Sequence, residues 1–285
     1  MAIIIPSGLL ANCRDVPERT AWLDRLPETL RGIERNWSIS AGEPFDSEAA
    51  WVAPVSLAGG ASAVLKLGMP HMEGEHEIDG LLFWNGDPAV RVLKFEADNN
   101  AMLIERCEPG TSLRAVPEAE QDTVIEGLLR RLWRIPAAPH PFRQLSEMLR
   151  HWSNETMAAI ERWPDAGVVR EGLALFKQLP LSASTEALLG TDIHAGNVLR
   201  ARREPWLVID PKPFIGDPAN DATQHLLNCA ARMRAAPIET INRFAGLLGV
   251  DRERVRLWMF ARAAAEPRDR WDDEDSLRLA RILGA

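Results

Sequence analysis

Residues 188–221 of this 285-residue chain read LLGTDIHAGNVLRARREPWLVIDPKPFIGDPAND. Two short apolar runs in this stretch, Asn197–Ala201 and Trp206–Ile209, are typical of β-strands. The polar residues between and around them are unusually dense, and helical patterns precede and follow the stretch. We therefore expect a polar strand hairpin set into a mostly helical region, and we expect the chemistry of the protein to be concentrated there.

Three oxygen-bearing side chains of this stretch form a candidate catalytic centre. If Asn197 and Asp210 flank the hairpin, their oxygens can meet, and such oxygens are hard ligands that suit Mg²⁺. Asp192, earlier in the same loop, can accept a proton from an alcohol. A single Asp or Asn in a loop is more often a turn or capping residue. Three at this spacing, joined to a lysine upstream, favour a catalytic centre.

That lysine is Lys66, in the apolar run ASAVLKLG. A charge in such a run is costly unless its head group has a partner. Glu77 is favoured as that partner over Glu73 and Glu75, because it shares a helical face with the apolar residues four and seven positions later. The alternative is a lysine at a strand edge with its head group in water.

The predicted secondary structure changes along the chain from mainly strands to mainly helices, and this change predicts two lobes. After an amphipathic helix over residues 15–37, residues 37–108 carry short β-like runs and one helix, whereas the chain from residue 117 onward is mostly helical. We expect a small β-rich lobe over residues 1–107 and a larger helical lobe over 108–285. The predicted strands are 37–40, 50–57, 61–68, 89–96 and 101–108; the predicted helices are 72–84, 117–134, 141–163, 167–178, 218–235, 238–248 and 252–265.

Composition excludes several classes of protein. The net charge of −8, from 33 Lys and Arg against 41 Asp and Glu, argues against a nucleic-acid partner. The three cysteines contain no CxxC pair, which argues against a disulfide framework or a cysteine zinc site. No convincing signal peptide begins the chain, and no stretch approaches the about 18 apolar residues of a membrane span. We therefore expect a cytoplasmic protein without a membrane partner.

The hairpin region resembles a known family. The pattern D-x-H-x-x-N over residues 192–197, followed thirteen residues later by Asp210 after a hydrophobic strand, resembles the aminoglycoside phosphotransferases. The stretch REPWLVIDPKPFIGDPAND, with QHLLN after it, is similar to their streptomycin 6-phosphotransferase branch, the aminoglycoside/hydroxyurea resistance kinases. The similarity runs from about Trp37 to Glu266. It implies an α+β, two-lobed, protein-kinase-like fold and an ATP- and Mg²⁺-dependent transfer of a phosphoryl group to a small alcohol.

The resemblance also implies roles for single residues. Asp192 would be the catalytic base, and Asn197 and Asp210 would hold magnesium. Lys66 would contact the α- and β-phosphates of ATP, and Glu77 would orient it. The first lobe would thus bind nucleotide, and the second would carry the catalytic loop, the magnesium ligands and the acceptor site.

The nucleotide contacts implied for the first lobe are less specific. The segment Ile104–Cys107, which includes Glu105, would be the hinge that receives adenine through its backbone. The phosphate-covering loop would be Ala41–Ala50. This loop lacks the kinase pattern G-x-G-x-x-G, so its phosphate contacts would rest on Ser47 and backbone N–H groups. No G-x-x-x-x-G-K-[ST] occurs, which excludes a P-loop kinase.

A second departure lies beside the expected base. The family often has His-Gly before the catalytic Asp, and this chain has Gly190 and Thr191. The difference bears on how the loop is anchored. Asp217 and Asp221 are expected to support the site, and His194 to serve as a packing or hydrogen-bonding residue rather than a second base.

The acceptor is expected to be a cationic aminocyclitol of the streptomycin type. The resemblance is one reason, and the other is an acidic run beside the final predicted helix, where a carboxylate could pair with a guanidinium. Glu266 is the better candidate to face the acceptor and Asn228 could add a neutral hydrogen bond, while the later members fit a solvated helix end. The run consists of Glu266, Asp269, Asp272, Asp273, Glu274 and Asp275.

Other functions remain open from the sequence. A metal hydrolase could use Asp192, His194, Asp210 and Asp217, but this leaves Lys66 unexplained. A degenerate kinase that only binds nucleotide is favoured by the poor phosphate loop and opposed by the intact catalytic pattern. Among active kinases, the acceptor could be another small alcohol or hydroxyurea, because fold does not choose among them.

Overall fold

The computed structural model describes residues 3–57, 59–268 and 273–284. The chain divides into two compact units. The first consists of the chain up to Thr111 together with Leu199–Ile209, and the second of Ser112–Val198 together with the chain from Asp210 onward. The sequence predicted a single boundary after residue 107, whereas the observed units are divided at three points along the chain. Residues 199–209 group with the first unit because their backbone bonds to residues 88–90 and 110–111 of that unit.

The first unit contains helices and an antiparallel sheet. Its elements are α1 (Ser7–Cys13), α2 (Pro17–Trp37), β1 (Ser40–Ala41), β2 (Ala50–Ser56), β3 (Ser62–Gly68), α3 (Glu77–Trp84), β4 (Val92–Glu96), β5 (Ala101–Glu105), β7 (Val198–Arg200) and β8 (Trp206–Val208). The sheet has five strands in the order β1-β2-β3-β5-β4. A separate strand pair, β7 with β8, forms the hairpin that the sequence predicted.

The core of the first unit lies between the sheet and the two N-terminal helices. Leu26, Leu30 and Ile33 form one buried face of α2, at the spacing of an amphipathic helix, and pack in one cluster with Leu65 and Leu67 of β3. The short helix α1 was not predicted, because seven residues are too few to show a period.

Glycine and asparagine end elements where the sequence indicated. Gly59 and Gly60, between β2 and β3, have φ of 99° and 84°. These angles lie in the left-handed region that glycine adopts without steric cost. Helix α3 begins only at Glu77 and ends at Trp84, where Asn85, with φ of 46°, caps it. The predicted helix over 72–84 is therefore shorter, with a 3₁₀ turn at Met72–Gly74 before it.

The second unit is mostly helical. Its elements are α4 (Glu118–Leu132), α5 (Leu145–Ala158), α6 (Ala166–Gln178), β6 (Ala187–Leu189), β9 (Phe214–Gly216), α7 (Pro218–Leu227), α8 (Ala230–Ala235), α9 (Pro237–Leu248), α10 (Arg252–Ala265) and α11 (Glu274–Gly284). Strands β6 and β9 form a small sheet that was not predicted, because three-residue strands carry too little pattern. The predicted helix over 218–235 is two helices, α7 and α8, and α11, which was not predicted, ends the described chain. Across the described ranges, every helix is too short or too polar to cross a bilayer.

A buried carboxylate, Asp122, joins four helices of the second unit. This residue of α4 is fully buried and accepts hydrogen bonds from His225 of α7 and Arg232 of α8, each at 2.9 Å. Arg243 of α9 donates to the same carboxylate at 3.0 Å. Burial by itself would raise the pKa of Asp122, but the hydrogen bonds from the histidine and both arginines outweigh it and lower the pKa to about 2.

Asp122→Ala should destabilise the protein by about 3 kcal/mol, because breaking a buried ion pair leaves its partners uncompensated. Urea unfolding monitored by tryptophan fluorescence measures this. The control is Arg243→Gln: the Arg243 side chain is 53% exposed, so its loss should cost no more than about 1 kcal/mol. Equal losses in the two variants would contradict a structural role for the buried carboxylate.

Candidate functional site

The loop that carries Asp192 is anchored from several sides within the second unit. The backbone N–H of Gly190 donates to Asp221 at 3.1 Å, and the hydroxyl of Thr191 donates to the carbonyl of Lys212 at 2.7 Å. Farther along, the hydroxyl of Ser112 donates to the carbonyl of Ala195 at 2.8 Å. These contacts hold Thr191 at φ of 44°, a conformation that is costly for a β-branched residue. Gly190 and Thr191 thus take part in anchoring the loop.

The carboxylate of Asp192 is held at both oxygens. Gln224 of α7 donates its amide N–H to Oδ1 at 2.7 Å. Asn197 donates to the main-chain oxygen of Asp192 at 3.0 Å and to its Oδ2 at 3.3 Å. Donors at both oxygens favour the ionised form of a carboxylate. The Asp192 side chain is 30% exposed, so it is open to a substrate while its orientation is fixed.

His194 lies beside this carboxylate, with Nε2 at 3.7 Å from Oδ1 of Asp192. Its Nδ1 accepts the backbone N–H of Gly196 at 2.9 Å, which places the proton of the neutral ring on Nε2. Burial and the charge of Arg114 lower the pKa of His194 to about 4. At neutral pH the ring is therefore uncharged and acts as a hydrogen-bonding residue of the loop.

Asp210 follows β8 and has φ of 53°, in the left-handed region that Asp tolerates better than most residues. Its Oδ1 accepts a hydrogen bond from Nζ of Lys212 at 2.6 Å, and the Lys212 side chain is only 7% exposed. Asn197 uses its amide N–H on Asp192, so its amide oxygen is the atom that suits a metal. A carboxylate and an amide oxygen form a donor set that fits Mg²⁺.

In the first unit, Lys66 of β3 pairs with Glu77 of α3. The ammonium lies 2.6 Å from each carboxylate oxygen, and the two side chains are 9% and 6% exposed. This is the partner that helix periodicity favoured, and it resolves the cost of a charge in an apolar strand. The neighbouring Glu73 and Glu75 lie before α3 begins.

The side chain of Glu105, also in the first unit, pairs with Arg203. It accepts from Nε and Nη2 of Arg203, each at 2.9 Å, and Arg203 also donates to the carbonyl of Gly86 at 2.6 Å. The side chain of Glu105 therefore fixes the local backbone. Cys107 is half-buried, and burial together with Glu105 raises the pKa of its thiol to about 11. The thiol is protonated at neutral pH and is a poor nucleophile.

Ser47 lies half-buried in the loop before β2. This loop contacts α1. Asn12 of α1 donates to the carbonyl of Glu48 at 3.0 Å. A Cβ on Gly8 would come within 3.0 Å of the Glu48 side chain, so the glycine permits this close approach. The N-terminal helix thus supports the loop that was predicted to cover phosphate.

The residues predicted to contact the acceptor lie in the second unit. Both oxygens of Glu266 accept from Arg262, at 2.6 and 2.8 Å, and the Glu266 side chain is 26% exposed. Asn228 is exposed and donates to the carbonyl of Gln224 at 3.0 Å. Of the acidic run, Asp275 pairs with Arg234 at 2.7 Å. Asp269 and Asp272 lie outside the described residues.

The metal-hydrolase hypothesis would need Asp217 as a ligand. One oxygen of Asp217 accepts from Arg254 and from Nε1 of Trp258, the latter at 2.6 Å. Its other oxygen caps α7 through the N–H of Ala219 at 3.0 Å. Both oxygens of Asp217 are therefore already engaged by protein donors.

A second cluster of residues whose side chains can bind metals consists of Asp122, His225 and Cys229. The carboxylate of Asp122 already accepts hydrogen bonds from two arginines. Those two positive charges disfavour a cation there.

Asp221, at the centre of the loop anchor, is fully buried. Its Oδ2 accepts from Nε1 of Trp133 at 2.9 Å as well as from Gly190. Complete burial raises the pKa of Asp221 to about 6, although these hydrogen bonds oppose the rise.

This raised pKa predicts a pH dependence of stability. The folded carboxyl keeps its proton up to about pH 6, while the unfolded one loses it near pH 4, so ionisation progressively lowers stability as the pH rises through that window. Relative to Asp221→Asn, which does not titrate, the wild type should lose about 2 kcal/mol between pH 4.5 and 7.5. Urea unfolding at both pH values measures this, and parallel profiles of the two proteins would contradict it.

Comparisons with known proteins show the family and the fold of the chain. Residues 36–274 match a family model described as aminoglycoside/hydroxyurea antibiotic resistance kinase. The chain is 33% identical to streptomycin 6-kinase of Streptomyces glaucescens, over 90% of this chain and 86% of that protein. It is also 33% identical to hydroxyurea phosphotransferase of Kitasatospora aureofaciens, over 89% and 75%. The crystal structure of a choline kinase from Streptococcus pneumoniae shares the fold at a TM-score of 0.62 and 12% identity, covering 89% of this chain and 98% of that one.

Proposed function

Because the chain belongs to the aminoglycoside/hydroxyurea antibiotic resistance kinases, we propose that it transfers the γ-phosphoryl group of ATP to a hydroxyl group of a streptomycin-type aminoglycoside. Membership in this family makes it a phosphotransferase that acts on an alcohol, within a protein-kinase-like fold. The observation that carries the proposal is Asp192, a partly exposed carboxylate held at both oxygens by amide donors. ATP as phosphoryl donor fits a cytoplasmic enzyme.

In this proposal, Asp192 is the catalytic base. Phosphoryl transfer asks little covalent chemistry of a protein, so positioning of the attacking hydroxyl is its main task. Asp192 would accept a hydrogen bond from the acceptor hydroxyl and take its proton as the O–P bond forms. The donors Gln224 and Asn197 hold the carboxylate in one orientation.

The nucleotide side of the proposal rests on the first unit. Lys66, paired with and oriented by Glu77, would bind the α- and β-phosphates of ATP. The segment Ile104–Cys107, which includes Glu105 and Cys107, would receive adenine through its backbone, and Ser47 would contact phosphate from its loop. These roles come from the family resemblance, and the rigid Lys66–Glu77 pair supports the first of them.

Magnesium is the cofactor proposed for the second unit, held by Asn197 and Asp210. Bound there, it would neutralise negative charge on the phosphates of ATP. Lys212 meanwhile keeps Asp210 in place by an ion pair at 2.6 Å.

The proposed acceptor is cationic. A relative that phosphorylates streptomycin aligns over most of both chains, and the net charge of −8 suits a cationic ligand. Hydroxyurea is the second candidate, because a hydroxyurea phosphotransferase is equally similar in sequence.

Steady-state assays with purified protein and ATP decide between these acceptors. Streptomycin, hydroxyurea, choline and a neutral sugar are supplied separately, and product is identified by mass. We expect phosphorylated streptomycin. Turnover of a neutral alcohol without turnover of streptomycin would discard the cationic acceptor and leave a kinase, while ATP binding without turnover on any acceptor would favour a degenerate kinase.

Glu266→Gln should raise the KM for streptomycin about tenfold and leave the KM for ATP unchanged, because a lost charge-assisted contact costs about 1.4 kcal/mol or more. An ionised carboxylate offers about four acceptor positions, so Glu266 can bind a ligand guanidinium while Arg262 holds it. Kinetics with each substrate varied separately measure this. An unchanged streptomycin KM would remove Glu266 from the acceptor site.

A further inference from the structure

A chain of polar side chains leads from Asp192 into the packed helices of the second unit. Gln224 of α7 donates to Asp192 at 2.7 Å, and its own amide oxygen accepts from Nη2 of Arg262 at 2.6 Å. Arg262 lies on α10 and is 5% exposed. The expected base is thus connected to a buried guanidinium through one amide.

The guanidinium is itself fixed on several sides. Its Nη1 donates to the hydroxyl of Thr223 at 2.7 Å, and its Nε and Nη2 donate to Glu266 at 2.6 and 2.8 Å. Its central carbon lies 5.6 Å from the ring centre of Trp152 on α5. Two helices, α5 and α7, together with the end of α10, therefore hold Arg262 in one place, and the carboxylate of Glu266 balances its charge.

This arrangement leaves the amide of Gln224 one orientation. An amide offers an oxygen at one end and N–H donors at the other, whereas a guanidinium can only donate. Arg262 must face the oxygen of Gln224, so the NH₂ group must face Asp192. Oδ1 of Asp192 therefore meets a donor, and the proton taken from an acceptor has to go elsewhere on the carboxylate.

We propose that Gln224 and Arg262 are positioning residues that orient the carboxylate of Asp192 for catalysis. The proposal rests on the proposed role of Asp192 as the base. Both residues act through that carboxylate: Arg262 fixes Gln224, and Gln224 fixes Asp192. Misplacement of a catalytic group by about 1 Å can cost about a hundredfold in rate, so this fixing should appear in kcat.

Two variants of Gln224 separate positioning from packing. Gln224→Met keeps the length of the side chain and removes both polar contacts. Gln224→Glu keeps the shape and the contact to Arg262, but presents an oxygen to Asp192 where the N–H donor was. Two facing carboxylates cannot both ionise readily. We expect kcat to fall ten- to a hundredfold in Gln224→Met and further in Gln224→Glu, with the KM for ATP unchanged.

Thermal stability should follow the opposite order. Gln224→Glu gains a charge opposite Arg262 and should have the higher melting temperature of the two. A purely structural role would make Gln224→Glu the milder variant in both measurements. The matched control is Arg256→Met on α10, the helix that carries Arg262. It breaks a partly exposed ion pair with Glu253 at 2.6 Å and should leave kcat unchanged.

The crystal structure of Gln224→Met gives a readout that does not depend on the acceptor. We expect the Asp192 carboxylate to leave its single orientation. A carboxylate that keeps its orientation, or a kcat within twofold of wild type in both Gln224 variants, would overturn the proposal. A wild type that phosphorylates no acceptor would instead overturn the proposed function, and the crystal structure would still decide whether Gln224 orients Asp192.

Discussion

Asp192→Ala is expected to lower kcat by about 10²–10⁴-fold, the contribution of a positioned general base, while nucleotide binding stays near the wild-type value. The reason is local, because the variant removes the carboxylate that Gln224 and Asn197 hold and leaves the residues of the first unit intact. Steady-state kinetics give kcat, and calorimetry gives the Kd for nucleotide.

The matched control for this variant is Asp165→Ala. Asp165 caps α6 through the N–H groups of Gly167 and Val168, each at 3.2 Å. Loss of this cap should lower the free energy of unfolding by about 1 kcal/mol without lowering kcat. This control tests whether a modest loss of stability alone lowers kcat. Near-normal turnover by folded Asp192→Ala would remove this residue as the base.

Asp210→Asn should weaken Mg²⁺-dependent nucleotide binding by tenfold or more, because an amide is a weaker ligand for a hard cation than a carboxylate. The asparagine is preferred to alanine because its oxygen can still accept from Lys212, whose buried ammonium would otherwise lose its partner. Calorimetric titration with ATP, with and without Mg²⁺, measures the effect.

The metal-free titration serves as the control for Asp210→Asn. Binding of ATP without Mg²⁺ should be the same in the variant and the wild type. Asn197→Ala should weaken Mg²⁺-dependent binding as well, and it should also lower kcat, because Asn197 donates to Asp192 at 3.3 Å. Unchanged Mg²⁺-dependent binding in Asp210→Asn would exclude the metal site at this position.

What the sequence could predict depended on the cost of burying charge and on local periodicity. Lys66 was identified because a charge in an apolar strand needs a partner, and helix spacing then selected Glu77. The same reasoning applies to Lys212, which precedes the buried strand β9 and pairs with Asp210 two residues earlier. Lys212 was not identified as buried from the sequence, because it lies between two prolines, and that pattern is typical of an exposed turn.

The contacts made by Gln224 and Arg262 could not be predicted in this way. They join residues 32 and 38 positions apart, and neither sequence spacing nor propensity fixes how helices α7 and α10 pack. Glu266 was noticed for its charge, while the arginine four residues before it, which holds both of its oxygens, was not considered. Pairs at this spacing on a helix are a local signal that could have indicated it.

The grouping of residues 199–209 with the first unit has a consequence for protein engineering. The polypeptide passes from one unit to the other three times, after residues 111, 198 and 209. A chimera that exchanges the nucleotide-side unit between relatives must therefore transplant two separate gene segments. A fusion at residue 111 alone would combine the Pro88–Val90 backbone of one parent with the Val208 strand of the other, at the hydrogen bonds of 3.0 and 3.1 Å that join them.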